Sequence, residues 1–216
     1  MWHLPDPLRP VLSQRCDPLD GGRLKGTIEY LRSIRGYILI SVILFFASAA
    51  SGFTAAEQNP EIAEEWLKEL EMLKWITDLP PLMILILIFA KNLLACAMAV
   101  LLGMGAGVVP VLVAISNGIL VGMVAYQVVH KEGILYLLAG ILPHGIVELP
   151  TVLVSIAIGM RLGHLFLMTI IDGDGDLGEE ARAAVSFLIY RVAPLLFVAA
   201  VIETFITPLA ISLASR

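Results

Sequence analysis

No charged side chain interrupts the chain from Gly36 to Thr54, nor from Val108 to Val129. At 1.5 Å of rise per residue, each stretch is long enough to cross about 30 Å of hydrocarbon as a helix. Further apolar runs cover about Pro80–Gly103, Gly133–Ile171 and Val185–Leu213. Inside a bilayer every backbone polar group must be satisfied within the protein, so such runs are helices. Charged residues are only 15% of the chain and apolar residues 58%, where a soluble domain carries about 25% charge. The fold class is therefore all-α, a polytopic transmembrane helix bundle with about five crossings. The spans are expected at about 36–54, 80–103, 108–129, 133–160 and 185–213.

The charges fall in blocks. Residues 1–35 hold six Arg/Lys, and residues 56–79 hold seven acids against two lysines. Basic residues beside the first span place the N-terminus in the cytoplasm of a multi-pass plasma-membrane protein. Residues 1–35 then form a cytoplasmic basic arm and helix, and 36–213 a single transmembrane domain. The acidic stretch falls outside, with Ile62, Trp66, Leu70 and Leu73 on one face of an extramembrane amphipathic helix near 60–75. No basic stripe with interleaved aromatics points to nucleic acid. Cys16 and Cys96 make no disulfide framework. The opening residues lack a signal-peptide core, so the first span is expected to drive insertion.

The run Pro143-His144-Gly145-Ile146-Val147-Glu148-Leu149-Pro150 is the least ordinary segment. Two prolines, with a glycine between them, are expected to break the backbone hydrogen-bond ladder near bilayer depth. The expectation is a span broken at Pro143–Pro150 and ending near Arg161, with 161–171 along the inner surface. A re-entrant hairpin plus a sixth crossing is the alternative. Gly103/Gly107, Gly118/Gly122 and Gly159/Gly163 recur four apart. Such pairs permit close helix approach, within the chain or across a homodimer.

Among the polar residues within the apolar runs, six lie deep in the expected spans: Lys91, Asn92, Asn117, His144, Glu148 and Glu203. An ionisable group at mid-bilayer costs on the order of 3 kcal/mol and normally faces partners. One buried polar cluster is therefore expected. His144 and Glu148, four apart, share a helix face. Three readings stand for them: a hydrogen-bonded anchor for opened backbone, a divalent metal site such as zinc with Glu203, or a proton or ion pathway. Lys91 calls for Glu148 or Glu203 as its counter-charge. Asn92 and Asn117 suit interhelical hydrogen bonds. The acidic loop at 172–182 starts like a calcium loop, but Leu177 and Ala183 stand where glycine and glutamate are needed. No catalytic or cofactor-binding motif is recognisable.

Leu142–Pro150, Asn117-Gly118, Lys91-Asn92-Leu93 and Ile202-Glu203 through Pro208 together resemble the stage II sporulation protein M family. The resemblance covers about Gly36 to Leu213. It implies a membrane protein held in a complex with a peptidoglycan-degrading enzyme and a second cell-wall hydrolase, acting as scaffold or anchor. The expected function is a non-enzymatic scaffold or assembly factor for other membrane or envelope proteins, as a homodimer in the lipid bilayer. A metal-dependent membrane enzyme, or an ion- or small-solute-conducting protein, is the alternative.

Overall fold

The computed structural model describes residues 22–61, 78–173 and 177–215. Among the described residues the main helices are α1 (Gly22–Ser33), α2 (Arg35–Gln58), α3 (Pro81–Leu101, extended by a 3₁₀ turn Leu102–Met104), α4 (Val108–Glu132), α5 (Ile134–Asp172) and α6 (Leu177–Ala214). Five of them, α2 to α6, are long and apolar enough to cross a membrane. The expected all-α bundle with five membrane-length helices is what the chain forms. The N-terminal arm before Gly22 and most of the acidic amphipathic helix near 60–75 lie outside the described residues.

The connections are short and use backbone that favours glycine. Gly107 (φ 74°) opens α4 from the left-handed region, and Gly133 (φ 91°) alone separates α4 from α5. A side chain disfavours both conformations. α3 begins with proline at its first position, where no N–H is needed.

The paired glycines close the bundle on itself. A Cβ added to Gly159 would lie 2.0 Å from the Ala99 carbonyl oxygen, and one on Gly163 would lie 2.1 Å from the Gly107 nitrogen. On the other seam, a Cβ on Gly122 would lie 2.0 Å from the Ala49 oxygen, and one on Gly118 2.5 Å from the Phe45 oxygen. These contacts run in parallel register, α3 with α5 and α2 with α4. Without a hydrophobic drive between helices in lipid, such backbone approach supplies the packing. The glycine pairs are thus used within the chain.

α5 touches every other span. Ser41 on α2 donates to the Leu153 carbonyl at 3.1 Å, which sets the two helices' relative depth.

The break expected at Pro143–Pro150 is not there. α5 is one helix of 39 residues, about 58 Å long, with both prolines inside it. Each proline deletes a single ladder bond, and the packed neighbours hold the helix across the gaps. Beside Pro150, the Thr151 hydroxyl bonds the Val147 carbonyl at 2.6 Å. The same continuity corrects the expected surface segment: 161–171 continues α5.

Distortion appears instead in α6, where it was not expected. Leu188–Val192 and Ile202–Ile206 are π-helical. Each precedes a proline, Pro194 and Pro208. The widened turns let Ala193 N–H reach Leu188 O and Thr207 N–H reach Ile202 O, so the ladder survives beside a residue that cannot donate. The acidic loop also shortens, because α6 already begins at Leu177.

Candidate functional site

The i, i+4 spacing on unbroken α5 puts His144 and Glu148 on one face. The second π segment of α6 carries Glu203 to that face. One ligand atom from each of the three lies within 4.8 Å of the others. The site sits near mid-span: Glu148 precedes by about one turn the residue whose carbonyl meets Ser41, and so falls level with the middle of α2. Two carboxylates at this distance repel by roughly 3 kcal/mol at an effective dielectric of about 20. A shared proton or a bound cation relieves that repulsion.

The surroundings are asymmetric. Asn92, 6% exposed on α3, presents its side chain to the Glu148 carboxyl. The Glu148 Oε2 atom is buried and has no hydrogen-bond partner among the described residues. His144 Nδ1 lies 3.3 Å from Thr207 Oγ1, and that hydroxyl lies 3.4 Å from the Ile202 carbonyl. Thr207 has one proton to give. If it goes to Ile202, the ring donates Nδ1–H to Thr207 and Nε2 keeps its lone pair.

Four of the six expected cluster members therefore meet: Asn92, His144, Glu148 and Glu203. Lys91 does not close the expected ion pair. Its residue is exposed and acts on Glu148 only through space, because it occupies the adjacent, outward face of α3 beside buried Asn92. Asn117 is also apart. Its amide donates to the Val113 carbonyl at 2.8 Å, one turn back on α4.

A second polar centre was missed by sequence reasoning. Arg161 and Glu180 form a buried ion pair between α5 and α6, with Nε 2.8 Å from Oε1 and side chains 7% and 2% exposed. Arg161 Nη2 donates to Oε2 at 3.0 Å, and Nη1 donates to Ser33 Oγ at 3.1 Å. The Nε–H is not aimed along the 2.8 Å line, so that contact is ionic only. Tyr30 donates its hydroxyl to Glu180 Oε1 at 3.1 Å. Burial, then the neighbouring carboxylate, pushes the Tyr30 phenol far above the ordinary tyrosine range, against a smaller opposing pull from Arg161. The available signal was Arg161 itself, a lone cation with apolar residues on both sides.

The sequence model of the family described as Stage II sporulation protein M matches residues 41–208. The chain belongs to the stage II sporulation protein M family. No match was found among curated proteins or among solved structures. The matched span contains the whole His144/Glu148/Glu203 group, Asn92, Thr207 and the Arg161–Glu180 pair. It leaves out Tyr30 and Ser33, so the tie to α1 lies beyond the sporulation protein M match.

Proposed function

We propose that this integral membrane protein is a non-enzymatic scaffold or assembly factor of the plasma membrane, with its N-terminus in the cytoplasm, that organises other membrane or envelope proteins. The observation that carries this reading is the cross-tied end formed by α1, α5 and α6. There Arg161 joins Ser33 to Glu180, and Tyr30 closes the ring. α5 continues about three turns beyond Arg161, and its end presents exposed Leu167, Met168, Ile170 and Ile171. A rigid end with a projecting apolar tip suits the holding of partners. Exposed Lys91 at mid-span favours a second copy of the chain covering that side.

The test is isolation from native membranes with mild detergent, comparing wild type with the joint H144Q/E148Q variant. Membrane or envelope proteins should co-isolate in stoichiometric amounts with both. A wild-type protein that comes out alone, or a turnover activity lost with the variant, would sink the scaffold reading. Mass by light scattering should be that of a homodimer.

The grouping of His144, Glu148 and Glu203 favours a second reading, a metal-dependent membrane enzyme or an ion-conducting protein. Flux through proteoliposomes that is flat across cations counts against conduction.

A further inference from the structure

We propose that His144, Glu148 and Glu203 form a binding site for a first-row divalent cation of the zinc type, tying α5 to the second π segment of α6. The proposal is independent of the scaffold reading, and either can fail without the other.

Four observations converge. Three donors from two helices have ligand atoms within 4.8 Å of one another. Ligands in a tetrahedral zinc shell lie about 3.4 Å apart, given bonds near 2.1 Å, so small side-chain rotations close the set. Next, Glu148 Oε2 is a buried acceptor with no donor among the described residues. Buried polar atoms are rarely left so, and a cation would complete it. Third, the Thr207 hydroxyl beside His144 Nδ1 has Ile202 O to donate to, and in that arrangement Nε2 is free as a lone-pair ligand. A second hydrogen bond of this kind orients a metal-binding imidazole. Fourth, Asn92 engages the Glu148 carboxyl, the outer support that ligating carboxylates usually have.

The charges select the ion. Two carboxylates and one divalent cation sum to zero, which suits a low-dielectric span. Lys91, outside the group and without an ion pair among the described residues, carries one charge and cannot neutralise both acids. Imidazole with two carboxylates favours zinc and its transition-metal neighbours over magnesium or calcium, which prefer oxygen alone. Three protein ligands leave a fourth position open for water or a small ligand.

The full chain, purified in detergent without chelator, would be incubated with excess zinc, desalted and analysed for metal. About one zinc per chain is expected, with loss in both H144Q and E203Q. Two measurements need no variant: cobalt substitution should give the visible bands of a low-coordinate nitrogen–oxygen site, and zinc should raise the wild-type Tm with chelator reversing it. Metal-free wild type with no cobalt spectrum and no zinc-dependent Tm shift would overturn the site, leaving the carboxylates to share a proton. Full zinc retention in both folded variants would overturn it equally.

Discussion

Arg161 and Glu180 meet across α5 and α6 with Nε 2.8 Å from Oε1, both side chains almost wholly buried. They stand nineteen positions apart in the chain. Removing one partner of such a pair strands the other without water. Glu180→Ala is expected to destabilise the fold by about 3–5 kcal/mol, whereas the joint R161M/E180L change should recover most of that loss. Reversible unfolding in mixed micelles reads both.

Tyr30 donates to the same carboxylate, and its phenol is held above the ordinary range by burial. The unfolded chain ionises first, near pH 10, so stability should be unaffected below that value and fall as pH rises past it. In an alkaline absorbance titration one tyrosine should resist ionisation until unfolding. Y30F should remove that late component.

The glycine seam offers a steric test. Gly159→Ala would place a methyl 2.0 Å from Ala99 O, backbone that cannot step aside, and should cost about 1–3 kcal/mol or more. Gly36, where an added Cβ meets nothing within 4 Å, provides the control. Inside a helix Gly36→Ala should be neutral or stabilising by up to about 1 kcal/mol. Thermal scans of the two variants side by side check this.

Thr207 buttresses His144 and is itself 7% exposed. Thr207→Val keeps the shape and deletes the hydroxyl. Zinc affinity should weaken by about 10–100-fold while the helical circular dichroism spectrum is unchanged. Competition with a chromophoric chelator measures it.

α5 runs through Pro143 and Pro150 without interruption. Pro143→Ala and Pro150→Ala should therefore each restore a ladder bond and leave the fold in place, with Tm equal or higher. A collapse of the fold in either variant would show that the prolines shape the helix more than its continuity implies.

The bundle itself was legible because lipid demands long apolar helices, and each expected span lies within or nearly within an observed helix. His144, Glu148 and Glu203 were found as a group because ionisable residues in such helices are few and costly. What misled was local backbone chemistry. Prolines in α5 read as a break, yet a missing N–H costs only one bond when neighbours pack on both sides. Prolines in α6 read as nothing, yet each sits just past a π segment. Glu180 was hidden among Asp172, Asp174, Asp176 and Glu179. Composition made that run look solvated, and only the arrival of Arg161 from α5 distinguishes one acid from its neighbours.

The dependence of α5 on α6 bears on how the protein is made. During synthesis α5 leaves the ribosome with Arg161, His144 and Glu148 facing unfilled places, since Glu180, Thr207 and Glu203 are encoded later. The earlier spans can dock by glycine contacts alone, but the fourth crossing stays electrically incomplete until the fifth is inserted. A chain stalled or truncated before α6 would carry exposed charge in the membrane, a ready signal for quality-control proteases.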